Sequence, residues 1–412
     1  MQEERLPNRW LFVVAALIMQ ICLGNLYTWS IFRTPLMKMW GWTVAQATMP
    51  FTLSIVFFAV GMIFAGRWQD KAGPKIVGIT GGIILGVGFL LASQIGTSLP
   101  GLYLAYGILG GLGVGFAYVT PIATCVKWFP DMRGTIVGLA VLGFGAGSMI
   151  GAPLGTYLIP KIGVYGTFAA FGVAFGVLVS LGGSMLKNPP AGYRPAGWTP
   201  PAPAPGVKVV KYDYKPGEMT GTLQFYLLWF VYLMWASVGL MAISQAVPMG
   251  QELAKLTPGV AAGALGTMAI FNGLGRPAFG ALSDKTGRNW ATVIAFVVYM
   301  VALLVVLRQA NTFAMYAIGI SMIGFSYGGC LAIMPSFTAD YFGTKSLGIN
   351  YGLVFTAWGA SGVLGPIIGS QIRTGYGSFL PAFPVLAAMC VLGIIVVLIT
   401  KAPAPKEEVA KA

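Results

Sequence analysis

The residue of this chain most able to do chemistry is Arg276, in the run FNGLGRPAFG, which no aspartate or glutamate adjoins. The run lies in a long apolar stretch, where a guanidinium costs about 3 kcal/mol on insertion scales. Such a charge marks a functional site, because its planar fork of donors matches a carboxylate through two hydrogen bonds. A small organic acid is the first ligand class to consider. An arginine held by backbone carbonyls is the alternative.

Other reactive side chains are scarce. The sequence has no histidine, which removes Ser-His triads, histidine-ligated metals and the usual proton shuttle at neutral pH. The four cysteines, Cys22, Cys125, Cys330 and Cys390, lie in apolar segments without a Cys-x-x-Cys spacing, and we interpret them as small buried hydrophobic residues. We therefore expect no enzyme, no metal site and no cofactor.

Composition places the chain in a membrane. Hydrophobic residues make up 57% of the 412 residues and charged residues 9%, and the mean hydropathy is +0.78. Soluble domains carry about 25% charged residues. We expect an all-α membrane protein in contact with the lipid bilayer. The net charge of +14 is scattered over short loops, so nucleic acid is not an expected partner.

Twelve apolar stretches are each long enough to cross a hydrocarbon core of about 30 Å as a helix. The first six are 10–34, 44–66, 76–95, 100–126, 134–159 and 164–186. The second six are 223–249, 259–282, 290–307, 312–338, 348–371 and 379–400. The first stretch is too long for a signal-peptide core, so we interpret it as a retained signal anchor.

A proline-rich connection divides the twelve spans into two sets of six. This segment, 187–222, contains NPPAGYRPAGWTPPAPAPG and is typical of a semi-rigid tether. We predict a six-helix bundle over 1–186, a cytoplasmic linker over 187–222, a second six-helix bundle over 223–400 and a cytoplasmic tail over 401–412. Lys and Arg collect on the cytoplasmic side of membranes. With both termini inside, 18 of the 25 basic residues face the cytoplasm and six face outward.

The two halves echo each other. The turn GRWQDKAG, which contains Asp70, is matched by GALSDKTGR, which contains Asp284 and Arg288. GFAY, ending at Tyr118, returns as GFSY, ending at Tyr327, and GAGS at 145–148 returns as GASG at 359–362. Either Asp can face a helix N-terminus or a basic residue. Arg133, in KWFPDMRG, is the partner we expect for Asp70, and a solvated charged turn is the alternative.

The paired turns resemble the loop motif of the major facilitator superfamily, whose fold has two pseudo-symmetric six-helix halves around a midplane site. Within that superfamily, the chain resembles the oxalate:formate antiporters and the bacterial monocarboxylate (lactate and pyruvate) transporters. The likeness is carried by NRW at 8–10, YTWSIF at 27–32, KWFPDMRG at 127–134, FNGLGRP at 271–277 and NYG at 350–352. It implies alternating access, with Asp70, Arg133, Asp284 and Arg288 serving the conformational change.

The resemblance also implies a set of pocket residues. Tyr27, Tyr118, Arg276 and Tyr327 fall where the oxalate antiporters place such residues. Asn272 lies one helical turn before Arg276 and can bond a hydroxyl or orient the guanidinium. Apolar wall positions are Leu26, Leu142 and Phe355. Plain packing is the alternative for each tyrosine and wall residue.

Two positions depart from the relatives and bear on the substrate. Trp358 stands where the oxalate antiporters carry a lysine, and Asn272 stands where animal proton-coupled monocarboxylate transporters carry an aspartate. One cation balances one carboxylate, whereas a dicarboxylate would leave a negative charge uncompensated in low dielectric. We therefore expect Arg276 and Trp358 to belong to a site for a monocarboxylate.

Coupling is the less determined part of the function. None of the eleven acidic residues lies in the middle of a span, so no acidic side chain suggests itself as the proton carrier. We expect a monomeric symporter of a lactate-like or pyruvate-like anion with a proton, in a bacterial inner membrane. Anion exchange of the oxalate:formate type is the alternative, and a transporter-like sensor is a remote one.

Overall fold

The computed structural model describes residues 6–199 and 212–403, and its regular structure in these ranges is helical. The predicted linker residues 200–211 and tail residues 404–412 lie outside the described residues. The main helices of the first half are α1 (Trp10–Leu23), α2 (Trp29–Trp40), α3 (Val44–Ala72), α4 (Pro74–Ala92), α5 (Gly111–Trp128) and α6 (Arg133–Met185). The second half has α7 (Leu223–Leu253), α8 (Pro258–Thr286), α9 (Arg288–Val301), α10 (Phe313–Phe342), α11 (Leu347–Tyr376) and α12 (Ala382–Ile399).

These helices confirm the predicted all-α membrane fold. Ten helical segments of the described chain are long and apolar enough to cross a membrane, by length and composition. One of them, α6, contains two arms that meet at Gly163, whose φ of 75° interrupts the helix. Its arms correspond to the predicted spans 134–159 and 164–186. Helix α8, which carries Arg276, has 29 residues and is also long enough to span.

The chain divides into two compact units. Unit 1 comprises Met1–Val207 and Ser346–Gly352, and unit 2 comprises Lys208–Lys345 and Leu353–Ala412. The first residues of α11 thus belong to unit 1, although they follow the halfway point of the sequence. Apart from this segment, the boundary falls within the proline-rich connection between α6 and α7.

An aromatic cluster anchors α2 in unit 1. The Trp29 indole donates a hydrogen bond of 2.8 Å to the carbonyl oxygen of Ala47, and its ring lies 4.4 Å from that of Tyr106. Phe32 stacks on Phe168 with 4.3 Å between ring centroids. Burial of these rings stabilises unit 1 and fixes which face of α2 is turned inward.

Helix α1 ends in a short 3-10 segment, Gly24–Thr28, that packs closely on α6. A Cβ atom on Gly24 would lie 2.0 Å from the carbonyl oxygen of Phe144, and one on Gly147 would lie 2.4 Å from that of Ile21. Small residues allow such an approach of two backbones in a membrane. The contact brings the segment containing Tyr27 next to Phe144.

Helices α8 and α10 approach each other in the same way around Arg276. A Cβ atom on Gly275 would lie 1.9 Å from the carbonyl oxygen of Phe325, and one on Gly328 would lie 2.1 Å from that of Asn272. Gly328 is also close to the backbone nitrogen of Arg276. The backbone that carries Arg276 is therefore held directly against α10.

The corresponding pair in unit 1 is α3 with α5. Gly111 and Gly115 of α5 meet the carbonyls of Ser54 and Phe58, as Gly324 and Gly328 of α10 meet those of Met268 and Asn272. The glycines thus correspond at an offset of 213 positions. The GFAY and GFSY echo has an offset of 209, one helical turn less. When the two helices are matched by these glycine contacts, Tyr327 corresponds to a position one turn before Tyr118. The two tyrosines are therefore not equivalent.

The contact at Gly275 predicts a stability difference between two glycines of α8. Gly275→Ala should destabilise the purified protein by about 1–3 kcal/mol, because the added methyl group forces the two backbones apart. Gly266→Ala should be neutral or stabilising, since a Cβ atom there meets nothing within 4 Å and alanine favours helix. Thermal unfolding in detergent measures both. Equal midpoint shifts would contradict this packing.

Candidate functional site

Arg276 is a fully buried cation in α8. Its side chain has 0% exposure. It precedes the helix end at Thr286 by ten residues, which is about 15 Å at 1.5 Å per residue, half the thickness of a hydrocarbon core of about 30 Å. Arg276 makes contacts within the protein, yet its Nε and Nη2 atoms have no hydrogen-bond acceptor among the described residues. These two nitrogens have the donor arrangement that a carboxylate accepts.

Asn272 lies one turn earlier on the same face of α8, as its spacing predicts. Its Oδ1 atom is buried and has no hydrogen-bond donor among the described residues. Its backbone carbonyl faces Gly328 of α10. The amide and the guanidinium therefore lie one turn apart on one face of α8, each with buried polar atoms that have no hydrogen-bond partner among the described residues.

Tyr327 and Trp358 form a second polar contact in unit 2. The Trp358 indole nitrogen donates a hydrogen bond of 2.7 Å to the hydroxyl oxygen of Tyr327, and both residues are 1% exposed. Phe355 stacks on Trp358 at 5.0 Å between centroids. Three of the predicted site residues are thus together. Because an indole can only donate, the Tyr327 hydroxyl is the acceptor in this bond.

The predicted tyrosines of unit 1 meet at Phe144. The ring of Tyr27 lies 5.3 Å from that of Phe144 and the ring of Tyr118 lies 5.2 Å from it, both edge to face. Phe58 packs against Tyr118 at 5.0 Å. The cluster surrounds Tyr118, which is 1% exposed, while Tyr27 is half-buried.

The predicted wall residues of unit 1 are separated. Leu26 is buried and lines a small cavity with Asn25 and Tyr106. Tyr27 does not line that cavity, although the two residues adjoin in sequence. Leu142 is half-buried on α6, two residues before Phe144. Adjacent residues of a helix point in different directions. A resemblance to other chains does not show which of two neighbouring residues faces a cavity.

Asp70 faces a helix N-terminus, as expected. Its carboxylate accepts hydrogen bonds from the backbone nitrogens of Gly348 and Ile349, at 3.1 and 3.0 Å, where α11 begins. The N-terminal partial charge of a helix favours an anion there. The cation near it is Lys127, at 3.9 Å. The partner expected from the sequence for Asp70 is Arg133. Arg133 instead begins the helix that follows Lys127.

Asp284 and Arg288 form an ion pair of 2.7 Å one turn apart, across the junction of α8 and α9. Arg288 also contacts Asp340 of α10 at 2.8 Å and donates to the Ser283 hydroxyl. A guanidinium shared by two carboxylates ties three helices together at this end of unit 2. Asp340 was missed in the sequence because it lies outside the repeated turn.

A further ion pair joins two of the motifs that carried the resemblance. Arg9 of NRW binds Asp131 of KWFPDMRG through two hydrogen bonds, of 2.6 and 2.9 Å, and lies 4.3 Å from the centre of the Phe129 ring. The hydrogen bond to Asp131 raises the pKa of Arg9. The sequence offered no spacing by which to pair these residues, because they are 122 positions apart.

The chain matches the profile of the Major Facilitator Superfamily over residues 10–265 and 219–412. It therefore belongs to this family of membrane transporters. A crystal structure of the transporter FucP in the outward conformation superposes with a TM-score of 0.70 at 14% identity, covering 95% of this chain and 99% of that chain. The likeness to FucP shows the fold alone.

Two curated relatives narrow the comparison. The chain is 32% identical over 378 residues to the oxalate:formate antiporter of Oxalobacter formigenes, covering 90% of this chain and 87% of the relative. It is 24% identical over 394 residues to monocarboxylate transporter 13 of Rattus norvegicus, covering 93% and 87%. The predicted resemblance to both kinds of transporter is confirmed. Both names refer to small anions.

The bond between Trp358 and Tyr327 predicts non-additive stability effects. Trp358→Phe and Tyr327→Phe should each lower the free energy of unfolding by about 1 kcal/mol, because each removes the same hydrogen bond. The double variant should lose less free energy of unfolding than the two single variants added together, by about 0.5–1.5 kcal/mol. Denaturation of the four proteins measures the coupling. Strictly additive losses would show that the bond contributes nothing.

Proposed function

We propose that this transporter carries a small monocarboxylate, lactate-like or pyruvate-like, together with a proton by alternating access. It resides in the bacterial inner membrane as a monomer, with both termini in the cytoplasm and residues 187–222 as the tether between two bundles. The observation that carries the proposal is the buried guanidinium of Arg276 near the middle of α8. A cation in that position is stabilised by an anion that binds and leaves.

Charge balance supports a single carboxylate. Arg276 is a basic residue deep within a span, and the position where the oxalate antiporters carry a lysine is Trp358, whose indole is neutral and bonded to Tyr327. A monocarboxylate at Arg276 gives a neutral pair, whereas a dicarboxylate leaves one negative charge in low dielectric. Asn272 and Tyr327 are the groups we propose for the remaining polar atoms of the substrate.

The described acid nearest to Arg276 in sequence is Asp284, and both it and Asp340 of α10 are engaged by Arg288 near the helix ends. Arg276 is itself a poor proton carrier, because the pKa of a guanidinium stays above about 12. We therefore propose that the proton travels with the bound carboxylate or a transient water. Neutralisation of Arg276 by the substrate then makes reorientation easier for the loaded protein than for the empty one.

Exchange of two anions is the second candidate, favoured by the relative that is named as an oxalate:formate antiporter. The glycine-rich runs around Pro153 in α6 and Pro366 in α11 also resemble runs found in antiporters. In that mechanism the empty protein does not reorient, and one anion must leave for another to enter.

Substitution of Arg276 tests the proposed role most simply. Arg276→Lys should reduce lactate uptake strongly, because an ammonium lacks the bidentate geometry, and Arg276→Ala should abolish saturable uptake. Uptake of labelled lactate into proteoliposomes measures both, with expression and thermal stability as controls for folding. Wild-type affinity in the alanine variant would remove Arg276 from the site.

Charge selectivity follows from the single cation. Lactate and pyruvate should compete for labelled lactate at least about tenfold better than oxalate or malonate, which corresponds to about 1.4 kcal/mol. Trp358→Lys should narrow this difference by adding a second positive charge, and Trp358→Phe serves as the uncharged control. Oxalate competing better than lactate in the unmodified protein would favour the antiporter instead.

Coupling is tested with vesicles that contain no substrate. An inward proton gradient should drive uphill lactate uptake, and a protonophore should abolish it. Bringing an anion inward against an inside-negative potential costs about 2.3 kcal/mol per 100 mV, so accumulation requires a coupled ion. Uptake that ignores the gradient and requires a preloaded anion would show obligatory exchange.

A further inference from the structure

The two helices of the first span expose different kinds of side chains. Along α1, the exposed side chains are apolar and include Leu11, Val14 and Ile18. Along α2, Ser30, Thr34 and Lys38 are exposed, a spacing of four residues that places a polar stripe along the helix, beside the exposed apolar side chain of Met39. The change occurs at the 3-10 segment that contains Tyr27.

Three donors share one face of α2. Ser30, Arg33 and Thr34 have the spacing i, i+3 and i+4, which brings their side chains together on a helix surface. Phe32 is buried against Phe168. Arg33 follows the buried Trp29 by one helical turn, so it lies at the edge of the packed face, whereas Ser30 and Thr34 are exposed.

None of these donors is used within the described protein. The Nε atom of Arg33 is buried and has no hydrogen-bond acceptor there. The hydroxyls of Ser30 and Thr34 likewise make no hydrogen bond to another described residue. By contrast, the hydroxyls of Thr28 and Thr120 donate to backbone carbonyls of their own helical segments. Two hydroxyls and a guanidinium thus remain able to bind an acceptor.

A lipid-facing role is a poor match for this set. Unsatisfied polar groups are costly in hydrocarbon, and a guanidinium more so. The sequence of α2, WSIFRTPLMKMW, has no acid that could pair with Arg33. A face with three donors and no acid matches an anion, and a planar carboxylate satisfies a guanidinium and a neighbouring hydroxyl together.

We propose that Ser30, Arg33 and Thr34 form an outer carboxylate site, at which the substrate anion is held before it reaches Arg276. The inference rests on the proposed function and orientation, in which the end of α2 faces outward. Tyr27 lies three residues before Ser30, one turn further in, which makes the site an approach to a residue already proposed for the pocket.

The charge of the outer surface supports such a site. In the proposed orientation, the outer segments contain six basic residues and one acid, Glu252. Glu252 is already engaged: its Oε1 atom accepts from the Ser378 hydroxyl and the Phe379 backbone nitrogen, and its Oε2 atom lies 3.6 Å from Arg373. The excess positive charge attracts anions from solution, an effect that salt weakens.

Uptake of labelled lactate by cells that express the protein tests the site. Arg33→Gln should raise KM by about three- to tenfold with little change in maximal rate, and should weaken the salt dependence of uptake. The matched control is Lys161→Gln, which removes an outer charge of unit 1 whose amine contacts Tyr157. Equal KM values in Arg33→Gln and Lys161→Gln would overturn the proposal.

A second variant separates hydrogen bonding from charge. Ser30→Ala combined with Thr34→Val keeps Arg33 and should raise KM by about two- to threefold, since two donors are lost. This variant also serves if Arg33→Gln fails to reach the membrane. An unchanged KM in the double variant would mean that Arg33 acts only through its long-range charge. That result would contradict a carboxylate site.

Lipid phosphate is the other anion that could bind Arg33. Proteoliposomes of phosphatidylcholine alone, and with phosphatidylglycerol added, distinguish the two sources. The KM effect of Arg33→Gln should be the same in both lipids. An effect that requires phosphatidylglycerol would assign Arg33 to a lipid headgroup and overturn the carboxylate site.

The outer site and the proposed function fail in different ways. If the unmodified protein takes up no monocarboxylate, the proposed function is wrong. Binding of L-lactate to purified Arg276→Ala protein then tests the outer site alone. Weak residual binding that Arg33→Gln removes would support the site, and residual binding that Arg33→Gln leaves unchanged would overturn it.

Discussion

The constraint on which the rest of this structure depends is the burial of the Arg276 guanidinium in an apolar helix. Removing this charge from water costs several kcal/mol, about 3 kcal/mol even on insertion scales. The surrounding fold must offset that cost. Backbone contact between α8 and α10, through Gly275 and Gly328, holds the segment that bears Arg276 in place. In the proposed function, the substrate carboxylate supplies the neutralising charge, and loaded and empty proteins differ in how easily they reorient.

In the proposed function, the other site residues limit what Arg276 can bind. The indole of Trp358 donates to Tyr327, so that the tyrosine hydroxyl is oriented, and it brings no second positive charge. Near the helix ends, Asp284 and Asp340 pair with Arg288, and Asp131 pairs with Arg9. In the proposed function, these pairs belong to the conformational change and Arg276 binds the substrate.

Much of the fold could be predicted from the sequence, because twelve apolar stretches in a bilayer have few alternatives to spanning helices. The interruption at Gly163 agrees with the predicted division between spans 134–159 and 164–186. The short 3-10 segment before α2 depends on tertiary packing and was not predicted. At the candidate site, the i, i+4 relation of Asn272 and Arg276 could be predicted from helical spacing. The partners of Asp70 and Tyr327 could not, since Gly348 and Trp358 come from distant segments. The GFAY and GFSY repeat predicted that Tyr118 and Tyr327 are equivalent, which is wrong by one helical turn. The glycine contacts, and not these motifs, determine how α5 and α10 correspond.

A structure of the protein with bound L-lactate tests the central claim most directly, since it shows what neutralises Arg276. The account predicts the lactate carboxylate with both oxygens about 2.7–2.9 Å from two nitrogens of the guanidinium, the geometry of a charge-assisted bidentate pair. A guanidinium that is saturated by backbone carbonyls, with the carboxylate bound elsewhere, would contradict the account.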